Sequence, residues 1–342
     1  MQYAVIGIAS FLLGLLLIPL AMKLAFKAGI IDKPNTKLKI HKKPVPYLGG
    51  VAIYLAFAIP VIAAKIIMHQ ALYGVVGILV GATIMMIMGL IDDVKNLKPV
   101  TKLVIQLAVA MIILRVNMNI KFMDSNLLNM FITVIWIVGV TNSINLIDIM
   151  DGLAGGVTAV ASLAFFVVAF LSGRINDMIP AIALFGALVA FLFYNRSPAK
   201  IYMGDAGSLF LGFMMAALAL NESYSRNNII AVLSPIVILG VPIFETLMLI
   251  VIRFSKGVLP IYGTNDHLAQ RLVMIGLTKQ QAVLFLIALT LILSVMAVIS
   301  TLLSMSGALV LYLFITVAAL MFVVLLMAVD MKDYHKVHNK KK

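Results

Sequence analysis

Long apolar segments follow one another along almost the whole chain, and this feature limits the fold more than any other. A helix of about 20 apolar residues crosses the hydrocarbon core of a bilayer. Hydrophobic residues make up 63% of the chain and charged residues 11%, which excludes a soluble domain of this length. We expect an all-α polytopic membrane protein with eleven transmembrane helices, in the ranges 3–22, 48–67, 72–91, 103–118, 128–145, 154–172, 178–194, 208–222, 229–252, 282–303 and 307–329.

The connections between these segments are short, so we expect residues 1–342 to form a single integral-membrane domain. Residues 1–22 lack a basic start and a small-residue cleavage site, and we expect them to remain as a transmembrane helix. The sequence shows no internal repeat of the kind found in many transporters. The chain has no cysteine, which excludes disulfides, a thiolate nucleophile and a cysteine-ligated metal.

Basic residues are distributed unevenly between the two sides of the membrane. One side carries 21 of the 26 Lys and Arg residues and the other side carries 5. Because Lys and Arg are enriched in cytoplasmic loops, we expect the amino terminus outside and the carboxyl terminus inside. The cytoplasmic segments are then 23–47, 92–102, 146–153, 195–207, 253–281 and the tail 330–342. The net charge of +13 follows from this topology and does not indicate a nucleic-acid partner.

Acidic residues are concentrated on the same side, which the rule for basic residues does not explain. Four helix ends bring acids to the cytoplasmic face, namely those at Asp92 and Asp93, at Asp148 and Asp151, at Asp205 and at Glu245. Carboxylates next to apolar segments are costly unless a cation, water or a partner satisfies them. This arrangement predicts a site at the cytoplasmic membrane face, not a pathway through the middle of the bilayer.

The stretch TNSINLIDIMDGLAGG, residues 141–156, places two amides and two acids between two apolar runs. Asn142, Asn145 and Asp148 follow at steps of three, so on a helix they share one side. Asp151 lies three residues further on, before a glycine-containing turn into the next apolar run. A polar loop at the membrane surface is the alternative, but the register favours a binding site.

Three further motifs carry residues of interest. GLIDDVKNLKP, residues 89–99, places two adjacent acids at a helix end, where they repel each other unless a cation lies nearby. IYMGDAGSLFLG, residues 201–212, places Asp205 between glycines at a helix start that would favour an anion, unless Ser208 merely caps the helix. HKKPVPYLGG, residues 41–50, either attracts phosphate or is ordinary positive-inside charge.

The segment 242–272 is the longest cytoplasmic connection. Pro242 predicts a kink, and Glu245 in the apolar run would bind a ligand or make a helix-packing hydrogen bond. His267 and Arg271 have the i, i+4 spacing of one helical face, as a phosphate clamp or as an ordinary surface helix. Mg²⁺ prefers oxygen ligands and is often shared between one or two carboxylates and substrate phosphates. Acids, cations and glycine loops together therefore indicate phosphoryl transfer involving a membrane lipid.

These motifs resemble those of the polyprenyl-phosphate N-acetylhexosamine-1-phosphate transferases. The family's order and approximate spacing are kept, from about residue 23 to about residue 285, by GLIDDVKNL, NSINLIDIMDGLAGG, AKIYMGDAGSLFLGF and PIFET…HLAQRL. The chain looks closest to the bacterial branch that makes undecaprenyl-diphospho-N-acetylglucosamine, which has eleven spans in this orientation. The resemblance implies transfer of N-acetylglucosamine-1-phosphate from UDP-N-acetylglucosamine to undecaprenyl phosphate, with release of UMP, as the first membrane step of a cell-envelope polysaccharide.

The resemblance also implies the partners and the roles of individual residues. The partners are a UDP-N-acetylhexosamine, a polyprenyl phosphate and membrane lipids, with a homodimer left open and a multi-pass location in the inner (plasma) membrane. Mg²⁺, for which Mn²⁺ can substitute, would be held by Asp205 and Asp148. Roles in the chemistry fall to Asp92, Asp93, Asp148 and His267, and the division of labour between Asp92 and Asp93 stays open. The residues implied in substrate binding are Lys43, Lys102, Asn145, Asp151, Tyr202, which would stack on uracil, and Arg271.

Two positions depart from the family's pattern. The family commonly carries His-x-His-His, where this chain has His267 followed by Ala269 and Gln270 at the other two histidine positions. Close members usually have Asp where Glu245 stands. These departures weaken the assignment of the sugar, and a phospho-N-acetylmuramoyl-pentapeptide transferase stays open as an alternative. An ion-coupled transporter or lipid flippase is the alternative from a different class, but it would need ionisable residues near the midplane and paired discontinuous helices.

Overall fold

The fold is a bundle of helices. The computed structural model describes residues 2–32, 44–69, 73–116, 118, 120, 123–220, 229–255, 257, 266–327 and 329. Within these residues lie the α-helices α1 Gln2–Ala28, α2 Gly49–Ile67, α3 Tyr73–Lys95, α4 Pro99–Arg115, α5 Asn126–Ile147, α6 Leu153–Leu171, α7 Ile175–Asn195, α8 Gly204–Leu218, α9 Ser234–Ile238, α10 Gly240–Ser255, α11 Leu268–Met274, α12 Lys279–Leu302 and α13 Met305–Met327. A short 3₁₀ helix, Ile229–Leu233, precedes α9, and two strands, β1 Ile31–Asp32 and β2 Val45–Pro46, lie between α1 and α2.

Each of the eleven apolar segments predicted from the sequence contains a helix. In the described part of the chain, eight helices are long and apolar enough to cross a membrane, and the bent pair α9–α10 gives a ninth crossing if counted as one. α4 and α8 have only 17 and 15 residues. The multi-pass helical architecture is confirmed, whereas the number eleven depends on α4 and α8 and stays a prediction, as does the orientation.

The short helix α8 lies at the centre of the bundle. Every residue of α8 except Asp205 is buried, and the helix packs against α2, α3, α5 and α6. A helix that is apolar on all sides can be surrounded by protein or by lipid, and α8 is surrounded by protein. Glycines allow the neighbours to approach its start, because a Cβ at Gly50 would overlap the Gly207 backbone and a Cβ at Gly89 would overlap the Asp205 carbonyl. The start of α8 is thereby fixed between α2 and α3.

The chain bends by 76° between Ile230–Ile238, the segment that ends with α9, and α10. Pro242 lies in the first turn of α10 and has no N–H to offer to the carbonyl of Ile238, the last residue of α9. The kink predicted from Pro242 is therefore present, just before the proline. As a result α10 runs along α5 and carries Glu245 towards the segment that begins at Asp266.

A small β-ribbon joins two distant loops at the end of the bundle where α3 and α5 end and α8 begins, which we call the site end. β1 and β2 pair antiparallel, with Ile31 opposite Pro46. The Tyr202 N–H donates to the Pro46 carbonyl at 2.9 Å, and the Gly49 N–H donates to the Tyr202 carbonyl at 3.1 Å. The residues before α2 and before α8 are therefore held side by side.

Candidate active site

Asp205 is the point at which three helices meet. It lies in the first turn of α8, and its two carboxylate oxygens accept from different helices. Lys102 Nζ of α4 donates to Oδ2 at 3.0 Å, and Asn145 Nδ2 of α5 donates to Oδ1 at 2.8 Å. Asn145 also donates to the Ser208 hydroxyl at 2.8 Å, so Ser208 does not serve as the helix cap considered from the sequence.

The adjacent acids Asp92 and Asp93 have separate partners. Asp92 is buried, pairs with the Lys102 ammonium and accepts from the Leu97 N–H at 2.6 Å. Asp93 accepts from the backbone N–H groups of Asp205 at 2.8 Å and Ala206 at 3.1 Å. The helix start that the sequence predicts to favour an anion thus holds the Asp93 carboxylate. Asp92 therefore shares the ammonium of Lys102 with Asp205, whereas Asp93 binds the backbone N–H groups at the start of α8.

Asp148 and Asp151 lie in the turn between α5 and α6. α5 ends at Ile147, so Asn142 and Asn145 lie on the helix and Asp148 lies just past its end. Asp151 Oδ2 accepts from the Ala199 N–H at 3.0 Å, whereas no hydrogen bond to the Asp148 side chain forms among the described residues. Burial, followed by the nearby carboxylates of Asp205 and Asp93, raises the pKa of Asp148 to about 7.

The acids surround a cavity of about 470 Å³ at the site end, which we call the acidic cavity. Its lining includes six carboxylates, those of Asp32, Asp92, Asp93, Asp148, Asp151 and Asp205. The other lining residues are Tyr47, Asn96, Ile149, Met150, Asn195, Tyr202 and Gly204. The structure therefore brings together five of the predicted acids, and Lys102 and Asn145 hold one of them from behind.

Asp32, Tyr47 and Asn195 belong to this site although the sequence did not single them out. The Tyr47 and Tyr202 rings lie 5.7 Å apart, tilted by 48°. Burial and then the Asp32 carboxylate raise the pKa of Tyr47, and burial and then Asp151 raise the pKa of Tyr202 to about 12. Asn195 accepts from the Gly152 N–H at 2.9 Å and donates to the Ile201 carbonyl at 2.8 Å. Tyr47 stands within the singled-out motif 41–50, which is the only sequence signal for it.

A second cavity, of about 580 Å³, adjoins the first. The two share Ile149, Met150, Asp151 and Tyr202. The second cavity extends towards α12 and is lined there by Val283, Leu284 and Ile287, with Arg196 and Lys279 also on its wall. Its lining is therefore more apolar than that of the acidic cavity, and it carries two basic side chains and one acid, Asp151.

His267 and Arg271 are not among the residues that line either cavity. His267 Nδ1 lies 2.7 Å from Glu245 Oε1, and the Leu268 N–H donates to Glu245 Oε2 at 2.8 Å. His267 is the N-cap residue of α11, not a residue on its helical face. The packing role considered for Glu245 fits these contacts, and the longer Glu side chain reaches both donors.

The Arg271 guanidinium is buried against the end of α13. It donates to the carbonyls of Leu326 at 2.7 Å and Val329 at 3.1 Å, and it pairs with Asp266 at 3.4 Å. The phosphate clamp predicted from the sequence needs a guanidinium that faces the acidic cavity, and the structure does not place it there. Lys43, the other predicted phosphate contact, lies outside the described residues.

The arrangement suits a divalent cation that is shared with a substrate. Among the described residues, no group of three or more His, Asp or Glu side chains converges closely enough to form a metal site by itself. Mg²⁺, however, commonly takes one or two carboxylates together with substrate phosphates and water. Within the part of the chain that the structure describes, no hydrogen bond reaches the Asp148 carboxylate, which lines the acidic cavity near Asp205. These two carboxylates form a chemically fitting donor pair.

Comparisons with known proteins agree with the motifs. The profile of glycosyl transferase family 4 matches residues 75–222. A probable undecaprenyl-phosphate N-acetylglucosaminyl 1-phosphate transferase of Bacillus subtilis is 34% identical over 301 residues, covering 85% of this chain and 83% of the relative. A decaprenyl-phosphate N-acetylglucosaminephosphotransferase of Mycolicibacterium smegmatis is 29% identical over 298 residues, covering 77% and 73%. An undecaprenyl-phosphate alpha-N-acetylglucosaminyl 1-phosphate transferase of Escherichia coli K12 is 26% identical over 307 residues, covering 84% and 81%.

Proposed function

The chain belongs to glycosyl transferase family 4, and from this premise we propose that it transfers N-acetylglucosamine-1-phosphate from UDP-N-acetylglucosamine to undecaprenyl phosphate. An oxygen of the lipid phosphate forms a bond to the β-phosphorus of the UDP-sugar. The bond from that phosphorus to the oxygen bridging the two phosphates breaks, and UMP leaves with the electron pair. The product is undecaprenyl-diphospho-N-acetylglucosamine. The proposed setting is a multi-pass enzyme of the inner (plasma) membrane.

The acidic cavity at the site end is the observation that carries this proposal. Phosphoryl transfer depends mainly on positioning and on charge stabilisation of phosphate oxygens. A cavity with six carboxylates repels a bare diphosphate, so it suits a diphosphate that arrives with a divalent cation. Mg²⁺, when bound to Asp205 and Asp148, would supply the positive charge that stabilises the leaving phosphate.

The chain's own residues orient this site. Asp93 fixes the first turn of α8 through two backbone N–H groups, so Asp205 keeps its place relative to α3. Lys102 and Asn145 each hold one oxygen of Asp205. We place the nucleoside near Tyr202, at the junction of the two cavities, where an aromatic face is available for stacking.

The decisive experiment is a product assay on the purified full chain. The protein is incubated with undecaprenyl phosphate, Mg²⁺ and, in parallel, UDP-N-acetylglucosamine, UDP-N-acetylgalactosamine or UDP-N-acetylmuramoyl-pentapeptide. Mass spectrometry of the lipid and measurement of released UMP identify the donor. We expect undecaprenyl-diphospho-N-acetylglucosamine and equimolar UMP. Product from the pentapeptide donor instead would overturn the proposed sugar, and no product from any donor would overturn the proposed function.

The cation requirement can be tested in the same assay. Excess EDTA should abolish transfer, because the carboxylates of the acidic cavity then face the diphosphate uncompensated. Added Mg²⁺ or Mn²⁺ should restore it. Full transfer in excess EDTA would contradict the proposed cation.

A further inference from the structure

A pair of side-chain amides joins α4 to α5, one turn along each helix from Lys102 and Asn145, the side chains that hold Asp205. Asn142 Nδ2 donates to Gln106 Oε1 at 2.8 Å, and Gln106 Nε2 donates to Asn142 Oδ1 at 3.3 Å. Asn142 Nδ2 also donates to the Val138 carbonyl of its own helix at 2.8 Å. Gln106 is 1% exposed, so its amide is fully withdrawn from solvent and lipid. None of the roles derived above uses this pair.

Apart from the ion pairs of Lys102 with Asp92 and Asp205, the amide pair is the polar side-chain contact that α4 makes among the described residues. Of its residues only Gln106, Val109, Ala110 and Ile113 are buried, and its main neighbours are α3 and α5. Within a bilayer, apolar contacts between helices gain little over contacts with lipid, and they are not directional. Two reciprocal hydrogen bonds, by contrast, define both the rotation of α4 and its position along α5.

The amide pair stands in line with the two side chains that hold Asp205. Lys102 precedes Gln106 by four residues on α4, and Asn145 follows Asn142 by three residues on α5, so each helix presents both groups on one side. The Lys102 ammonium reaches Asp205 and also pairs with Asp92. A rotation or slide of α4 would therefore remove the lysine from between the two carboxylates.

We propose that Gln106 and Asn142 are positioning residues, whose amide pair fixes α4 against α5 and thereby keeps the Lys102 ammonium between Asp92 and Asp205. The consequence for catalysis rests on the proposed function, whereas the placement of Lys102 does not.

Chemical labelling tests the placement without any substrate. The purified full chain is treated with an amine-acetylating reagent in the absence of divalent cations, and peptide mass spectrometry gives the rate at each lysine. The reagent must reach the nitrogen, and the Lys102 side chain is only 25% exposed, with its ammonium held between two carboxylates. Lys102 should therefore react slowly in the wild type, whereas the exposed Lys95 and Lys98 react quickly and serve as internal controls.

Gln106→Met removes the amide but keeps the length and suits a buried site in a membrane. We expect it to speed acetylation of Lys102 by about two- to tenfold, a range typical of lost side-chain hydrogen bonds, and to leave the rates at Lys95 and Lys98 unchanged. Asn142→Leu removes the same pair from the other helix and should give the same change, so it tests the proposal if Gln106→Met folds poorly. Thr290→Val is the matched control, since this buried hydroxyl bonds the Leu286 carbonyl within α12.

The transfer assay then tests what the placement does. Gln106→Met should lower kcat severalfold in the wild-type background and cause no further loss in a Lys102→Ala background, where no ammonium remains to be positioned. Unchanged acetylation of Lys102 in both single variants would overturn the proposal. An equal loss of kcat with and without Lys102 would also overturn it, because the pair would then act independently of the lysine. If the wild type transfers no sugar phosphate, the proposed function fails, and the acetylation rates still decide the placement.

Discussion

The carboxylates around Asp205 differ in how their negative charge is compensated. Asp92 and Asp205 share one lysine, and Asp93 is satisfied by backbone N–H groups. Asp148, in contrast, lines the cavity without a hydrogen bond among the described residues. The cavity therefore carries an excess of negative charge, and a divalent cation with its phosphates is the ligand that would neutralise it.

Replacing single acids tests this balance. Asp205→Asn, Asp148→Asn and Asp92→Asn each keep the shape of the side chain and remove the charge that a cation needs. We expect each to lower kcat/KM by at least about a hundredfold, which corresponds to about 2.7 kcal/mol at about 1.36 kcal/mol per decade. Lys95→Ala is the control, because Lys95 is exposed at the end of α3 and should change turnover little. Near-normal transfer by Asp205→Asn would contradict the cation assignment.

Replacement of Arg271 distinguishes two possible roles of this side chain, anchoring the end of α13 and binding phosphate. In the structure its guanidinium binds the carbonyls at the end of α13 and pairs with the buried Asp266. We therefore expect Arg271→Ala to lower thermal stability, since removing one partner of a buried pair typically costs about 3–5 kcal/mol. Arg271→Lys should rescue only partly, because an ammonium lacks the forked geometry.

The sequence-based clamp predicts a different outcome for the same variant. It requires a raised KM for the UDP-sugar at unchanged stability. Thermal unfolding and the KM values for both substrates, measured on one preparation, distinguish the two roles. A stable Arg271→Ala with a raised UDP-sugar KM would overturn the anchoring role.

The position of Asp205 depends on how closely the helices α3 and α8 approach each other. Gly89 of α3 faces the Asp205 backbone, where a Cβ would overlap the carbonyl. Gly89→Ala should therefore displace the start of α8 and lower both kcat and thermal stability. Gly139→Ala is the matched control, because Gly139 lies within α5 and a Cβ there meets nothing within 4 Å. Equal changes of kcat and thermal stability in the two variants would contradict the importance of the close approach of α3 to α8.

The helices and most of the acids around the cavity could be predicted from the sequence. The different binding partners of neighbouring acids could not. Asp92 and Asp93 were treated as a pair, yet adjacent helical residues point in different directions. One therefore meets Lys102 and the other meets the start of α8, over a hundred residues away. Asn142 was expected in the site with Asn145, and it instead pairs with Gln106. Periodicity identifies the face of a helix but not its partner.

The contribution of the loop before α2 could not be predicted for a related reason. Tyr47 and Asp32 reach the acidic cavity because the ribbon that holds them is bonded to residue 202. That pairing joins segments more than 150 residues apart and leaves no local pattern in the sequence. Residues whose place depends on such long-range backbone bonds are found only from the structure.

Orientation in the membrane concerns the whole molecule and stays a prediction from the 21-to-5 distribution of basic residues. The natural absence of cysteine permits a direct test with single cysteines. In intact cells, Asn96→Cys at the site end should resist a membrane-impermeant maleimide, and Asp124→Cys before α5 should react. The pattern should reverse in inside-out vesicles. Labelling of position 96 from outside would place the acidic cavity on the wrong side for the proposed function.

The central position of α8 also has a consequence for how the protein is made. At about 1.5 Å per residue, its 15 residues extend about 22 Å, less than the hydrocarbon core of about 30 Å. Alone in lipid, such a helix would leave the flanking backbone unsatisfied. Its main neighbours, α2, α3, α5 and α6, all precede it in the chain. The ribosome has therefore synthesised these four helices before α8 emerges. The order of synthesis thus provides a protein surface against which α8 can pack as soon as it is made.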